Sequence, residues 1–175
     1  MTSIEVPRPT AGDVVDLILA DHRLFEELLR QLRDRTQDRA AVRTALAAVV
    51  AAHAEAEEKH VYPGLVRRNA VDDDEVEHGT HEHLEGNEAL LELMEMDDVQ
   101  SDDFEEAVEG LTKALAHHLD EEERDILNPA RTEVDDAVRA ELGRAFATER
   151  NRLLDAGAGT PDDLRRLIAE EKART

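Results

Sequence analysis

His53-Ala54-Glu55-Ala56-Glu57-Glu58 and His118-Leu119-Asp120-Glu121-Glu122-Glu123 repeat one arrangement: a histidine, a glutamate four residues on, and a second glutamate directly after it. On a helix, residues four apart stand one above the other on the same face. Each segment therefore sets an imidazole beside a carboxylate, a ligand pair that iron, manganese or zinc can use. Both segments lie on apolar stripes of helical spacing. Leu46 and Val49 precede His53 by seven and four residues, and Leu111 and Ala114 hold the same places before His118. At each point a core stripe turns polar where partner helices should meet. A buried unpaired carboxylate costs several kcal/mol. Two of them in one core need cations, and a metal supplies the charge for both.

Working outward, the whole chain reads as helices. Residues 1–9, with Pro7 and Pro9, are an irregular lead-in. Thr10 and Asp13 open a first helix whose stripe is Val15, Ile18, Phe25, Leu29 and Leu32. A second helix runs from about Asp38 to the first His/Glu pair, where Pro63-Gly64 kinks or ends it. A third covers about 74–96 behind the acidic Asp72-Asp73-Asp74. A fourth begins at Asp102, with Glu105 completing a capping box, and runs to about Leu127. Asn128-Pro129 is expected to mark a boundary, as N-cap and first helical residue. A fifth amphipathic helix spans 132–155, and Thr160-Pro161 begins a short tail helix. The expected fold is all-α: an up-down antiparallel four-helix bundle over residues 10–130, with a helical extension over 131–175. The extension holds no histidine and reads as a cover for the bundle or as a partner surface, open to homo-oligomer formation.

The first two helices resemble the next two. With His22 placed over His83, DHRLFEELLRQL lies over EHLEGNEALLEL, and Leu29 and Leu32 fall on Leu90 and Leu93. The same halves place His53 and Glu57 over His118 and Glu122, with only a loop-sized insertion between. Each half is then a helical hairpin offering one histidine from its first helix and His-x-x-x-Glu from its second. Two hairpins about a pseudo-twofold bring His22, His53, Glu57, His83, His118 and Glu122 to one level of the bundle. His78 lies five residues before His83, about 140° away on an ideal helix, and is a further candidate ligand near the helix start. His81 and His117 read as surface or supporting residues, and His60 as a rim residue. Tyr62 is either core packing or a hydrogen-bond donor near the metal. Glu58 and Glu123 are either solvated or receive ring N–H groups. A competing motif, Glu57-x-x-His60 with Glu75-x-x-His78, matches the spacing of ferritin-type bundles, but it leaves His22, His53 and His118 unexplained.

Composition narrows the partners. The net charge of −22 argues against nucleic-acid phosphates and anionic membranes and favours cations. Aromatic residues are 2 % of the chain, so the core is built from Leu, Val, Ile and Ala. With no cysteine there is no disulfide, Fe–S cluster, thiolate zinc site or cysteine nucleophile. The start of the chain has no apolar leader, and no apolar run reaches ~18 residues, so the cytoplasm is the expected location.

With DHRLFEELL, HAEAEEKHVYP, EHGTHEH and HHLDEEERDIL in place, residues 13–130 resemble the hemerythrin-like, or HHE cation-binding, family. That resemblance implies an up-down four-helix bundle around a non-haem di-iron centre. His22, His53, His83 and His118 would be terminal ligands and Glu57 and Glu122 would bridge two iron ions, with Zn or Mn as substitutes. The chain departs from the oxygen-carrying hemerythrins, which have His-x-x-x-His on the third helix and His-x-x-x-x-Asp on the fourth. Here the third helix has His78-x-x-x-x-His83 and the fourth His118-x-x-x-Glu122. The departures favour the bacterial branch, implicated in oxygen, peroxide or nitric oxide chemistry and in iron handling. Four histidines and two bridging carboxylates leave positions on octahedral iron open to small molecules. The expected function is to bind or sense O2 or NO or to handle iron. The alternative is a di-iron enzyme with catalase- or peroxidase-like activity on hydrogen peroxide, and a zinc-stapled or metal-free interaction module is a third reading.

Overall fold

A computed structural model describes residues 4–174, so the first three residues of the lead-in lie outside the described residues. Every regular element among the described residues is helical. Helix α1 (Val14–Leu32) starts where Asp13 Oδ1 accepts the Val15 N–H at 2.9 Å, and it buries Val15, Ile18, Phe25, Leu29 and Leu32. Helix α2 (Arg39–Ala56) is capped by Asp38 and is rich in alanine and valine. Helices α3 (Tyr62–Val66), α4 (Asp73–Glu95), α5 (Asp102–Glu122) and α6 (Asn128–Glu133) follow, and α7 (Asp136–Asp155) and α8 (Pro161–Arg174) complete the chain. No helix among the described residues is long and apolar enough to cross a membrane.

Four of the long helices, α1, α2, α4 and α5, pack in a ring: α1 on α2, α2 on α4, α4 on α5, and α5 back on α1. Apolar side chains of these helices, of α3, of the turn after α5 and of α7 and α8 form two clusters. One holds Phe25, Leu32, Leu46, Leu90, Leu93, Phe104 and Leu111, and the other holds Val14, Ile18, Tyr62, Leu65, Ile126, Leu142 and Phe146. Each fully buried Leu, Ile or Phe contributes about 1.5–3 kcal/mol. The change from one cluster to the other falls at His22 on α1, between Ala52 and Ala56 on α2, and between Leu119 and Ile126 after α5. A polar layer is thus sandwiched between two apolar ones.

Two boundaries differ from expectation. Pro63-Gly64, expected to kink or end the helix, does not end it, and Asn128-Pro129 falls at a boundary but inside the first turn of α6, with Leu127 and not Asn128 in the cap position. Five-residue π-helical turns, Glu57–Val61 and Glu123–Leu127, join α2 to α3 and α5 to α6. In each, the N–H five residues on, that of Tyr62 or Asn128, bonds back to the carbonyl of Glu57 or Glu123. A proline inside an α-helix clashes with the carbonyl four residues earlier and leaves it without a donor. A widened turn just before the proline accommodates both defects, and such turns recur at functional sites. The second correction is the start of α5. Its cap is Ser101, whose Oγ accepts the Phe104 N–H at 3.1 Å, while Glu105 pairs with Arg35 instead of closing a box.

The C-terminal helices belong to the same packed body. Helix α7 lies on α1 and α2, and α8 lies on α4. Gly143 on α7 stands against the Gly12 carbonyl, where an added Cβ would come within 1.9 Å of that oxygen, so only glycine permits the approach. Leu164 and Leu167 of α8 are buried in the first apolar cluster.

Candidate metal centre

His22 from α1, His53 from α2, His83 from α4 and His118 from α5 meet in the polar layer with Glu57 and Glu122, and all six are more than nine-tenths buried. The Nε2 atom of each imidazole faces a carboxylate. His53 Nε2 lies 3.0 Å from Glu57 Oε1, and His83 Nε2 lies 3.3 Å from Glu57 Oε2. His22 Nε2 is 3.1 Å and His118 Nε2 3.7 Å from the same oxygen, Glu122 Oε2. The groups fall into two sets, His22/His53/Glu57/Glu122 and His83/His118/Glu57, with Glu57 common to both. Two ligands on one ion with bonds of about 2.0–2.2 Å stand about 3–3.5 Å apart, so most of these spacings are already those of shared coordination.

What fixes the imidazoles is a carboxylate behind each one. His53 Nδ1 donates to Asp21 Oδ2 at 3.0 Å and His118 Nδ1 to Glu82 Oε2 at 2.8 Å. His83 Nδ1 donates to Glu58 Oε1 at 2.8 Å and His22 Nδ1 to Glu123 Oε1 at 2.9 Å. The pattern has two-fold character. In each hairpin the acid preceding the first histidine holds the second histidine, and the glutamate after each Glu57 or Glu122 holds a histidine of the other hairpin. A proton on Nδ1 leaves the Nε2 lone pair toward the centre, the tautomer a metal ligand needs.

Three further side chains complete the surroundings. Tyr62 stacks parallel on His83 with 5.8 Å between ring centroids, and its hydroxyl donates to Glu122 Oε1 at 2.7 Å. It therefore fills both roles left open by the sequence. Phe146 of α7 sets its ring at right angles to His53, with 5.5 Å between centroids. Arg150 of α7, with no solvent exposure, grips Asp21 through both carboxylate oxygens, Nε to Oδ2 at 2.6 Å and Nη2 to Oδ1 at 2.7 Å. The extension thus reaches the centre through Asp21, which the sequence reading missed along with Glu82. The acids were visible as Asp21-His22 and Glu82-His83, which the internal alignment had placed over each other. Arg150 had no such signal.

The electrostatics require positive charge here. Burial opposes charge on His53 and His83, but the carboxylates outweigh it. Glu57 and Asp21 raise His53 to about 10, and Glu57 and Glu58 raise His83 to about 10. Burial likewise opposes charge on Glu57, yet His53 and His83 hold it far below the usual carboxylate range. In the metal-free protein, protons on imidazole answer the carboxylates. These protons are poorly housed: His22 Nε2, His53 Nε2, both oxygens of Glu57 and Glu122 Oε2 are buried without a hydrogen-bond partner. His83 Nε2 and His118 Nε2 face each other at 3.1 Å, where at most one proton fits. Orphaned nitrogen and oxygen donors aimed at common points are a set that divalent first-row metals satisfy. The residues present fit metal ions.

His78 stands elsewhere. It is exposed on α4, 2.7 Å from Glu121 Oε2, and groups with Glu82 and Glu121 apart from the six. His81 is exposed beside Glu85, and His60 is half-buried outside every set. The ferritin-type pairing of His60 with His78 is not assembled among these groups.

No curated protein and no solved structure matches the chain. A family model does match, over residues 13–130, the span that carries all six groups and all four acids behind the imidazoles. The model is that of the hemerythrin HHE cation-binding domain, and the chain belongs to that family.

Proposed function

We propose that the six groups hold two iron ions as a non-haem di-iron centre, and that the protein uses it to bind or sense O2 or NO or to handle iron. His22 and His53 would serve one ion, His83 and His118 the other, and Glu57 and Glu122 both. The observation that carries this reading is Glu57, buried without a hydrogen-bond partner, with one oxygen 3.0 Å from His53 Nε2 and the other 3.3 Å from His83 Nε2. When bound, iron supplies redox chemistry and open coordination positions. The chain's own residues orient and shield. Asp21, Glu58, Glu82 and Glu123 fix the imidazole planes, Tyr62 holds one oxygen of Glu122, and the two apolar clusters exclude water above and below.

We also read the ring of long helices as an up-down antiparallel bundle. Arg43 near the start of α2 donates to the carbonyls of Leu93 and Met96 at the end of α4, and Arg35 just after α1 pairs with Asp102 and Glu105 at the start of α5. In this reading residues 10–130 form the metal-binding unit, and 131–175 are an extension that braces it through Arg150.

The test is an iron count with an optical spectrum on protein purified under iron-replete conditions, with and without peroxide. The expected result is about two iron ions per chain, lowered by His53→Ala. Less than about one iron per chain, unchanged by His53→Ala, would overturn the proposal. A stable, reversible O2 or NO adduct without turnover supports binding or sensing. Steady oxygen evolution from peroxide supports the catalase-like alternative.

A further inference from the structure

Glu82 has two carboxylate oxygens, and the centre uses one. Oε2 accepts from His118 Nδ1. Oε1 has no hydrogen-bond partner although the residue is only 7 % exposed. It lies 3.3 Å from His117 Nε2 and 3.5 Å from His78 Nε2. Glu121 meets the same two imidazoles, with Oε2 2.7 Å from His78 Nε2 and Oε1 3.6 Å from His117 Nε2. Both histidines are exposed, so this group opens to solvent where the central one does not.

The sequence builds this group by the rule that builds the centre. His78 and Glu82 are four apart on α4, and His117 and Glu121 are four apart on α5, so each pair shares a helix face. The packing of α4 on α5 brings the two pairs together. The result is two imidazole nitrogens and two carboxylate oxygens, a donor set that zinc and similar cations take tetrahedrally. With bonds of about 2.0–2.2 Å, such ligands stand about 3.3–3.6 Å apart. One atom each of His78, Glu82 and Glu121 already lies within 4.8 Å of the others, the 2.7 Å His78–Glu121 hydrogen bond must open by less than about 1 Å, and His117, 3.3 Å from Glu82 Oε1 but outside that set, must swing in as the fourth ligand. Glu75 and Asp125 line the same cleft, whose wall also includes Glu122. Glu75 adds negative charge at its mouth, whereas Asp125 is already paired with Arg124, whose guanidinium also stands 3.8 Å from Glu121 Oε1.

We propose that His78, Glu82, His117 and Glu121 form an outer site for a divalent cation, separate from the central one and joined to it by Glu82. The outer site does not depend on which metal fills the centre, or on whether iron does. It also gives His78 a role that the six-group centre does not.

Zn2+ is the probe. Metal-free wild type, the double variant His78→Ala/His117→Ala, and Glu57→Gln are titrated with Zn2+ by equilibrium dialysis, with thermal melts to check folding. The two histidines are exposed, and their ion pairs go to Glu82 and Glu121 and not to the six central groups, so the double variant should fold. The expected result is that it loses one Zn2+ equivalent while the central ones remain. Glu57→Gln should keep the outer equivalent and lose central ones. Identical binding by wild type and the double variant overturns the proposal, as does a double variant that loses central equivalents together with the outer one. If Glu57→Gln binds as wild type does, the central reading fails, while the wild-type and double-variant comparison still decides the outer site.

Discussion

Replacing Arg150 with methionine tests whether the extension supports the centre. The substitution keeps most of the apolar stem and removes the guanidinium that holds both oxygens of Asp21 at 2.6 and 2.7 Å. Asp21 is 5 % exposed, so its charge stays buried after its two-oxygen partner has gone. Breaking one side of a buried ion pair costs about 3–5 kcal/mol. His53 still faces Asp21 and is protonated in the metal-free protein, so the expected loss is at the lower end, about 3 kcal/mol. For a chain of this size that lowers the melting temperature by about 6–12 °C. The assay is a thermal melt of metal-free protein, with Arg8→Ala as control. Arg8 pairs with Asp155 on the surface, and losing an exposed pair is worth at most about 1 kcal/mol. Adding Asp21→Asn to Arg150→Met should recover part of the loss, because no unpaired charge then stays buried. A metal-free Arg150→Met protein that melts within about 2 °C of wild type would refute the reasoning.

Two other expectations concern the acids behind the imidazoles and the helix cap. Glu58→Gln weakens the donor bond of His83 and should lower metal affinity about 10–100-fold, whereas Glu55→Gln, which sits on the α8 side beside Arg166, should leave it unchanged. Competition with a chromophoric chelator measures both, and equal affinities would mean that Glu58 does not orient His83. Ser101→Ala should cost about 1 kcal/mol, or about 2–4 °C, as α5 loses its cap. Asp102→Ala should cost less, since Asp102 makes only an exposed pair with Arg35, and the reverse order in melts would place the cap at Asp102.

The fold was legible where it depends on stripes and not where it depends on packing. Val15, Ile18, Phe25 and Leu29 announce α1 through their spacing alone, and the same is true of α2, α4 and α5. The prolines were read only in part, because a proline seen locally kinks, stops or starts a helix. Here Tyr62 and Leu65 around Pro63, and Ile126, Leu127 and Ala130 around Pro129, are buried in one apolar cluster. That burial holds the chain in helical form past both prolines, and a widened turn absorbs the misfit. Nothing in a local window reveals the cluster. The cap of α5 failed for a smaller reason: Ser101 and Asp102 are adjacent and both cap well, and only the backbone settles which one does.

The centre divides in the same way, and the division has a physical cause. His53 with Glu57 and His118 with Glu122 are contacts within one helix, so a spacing of four residues suffices to find them. The acids behind the imidazoles all act between elements. Asp21 reaches from α1 to α2, Glu82 from α4 to α5, and Glu58 and Glu123 from the π turns to the opposite hairpin. Such contacts are invisible to periodicity, yet duplication exposes them indirectly. A role taken by Asp21 in one hairpin must be filled in the other, and Glu82 stands at the equivalent place. Arg150 has no counterpart because α7 was not duplicated, and so it was unreadable. This asymmetry matters for the chemistry. One half of the centre has its orienting acid locked by a buried guanidinium, and the other has an acid, Glu82, whose second oxygen faces two exposed imidazoles. The two ligand sets are therefore unequal in the rigidity behind them, and with the proposed pair of ions bound the half held by Asp21 and Arg150 should be the last to release its ion.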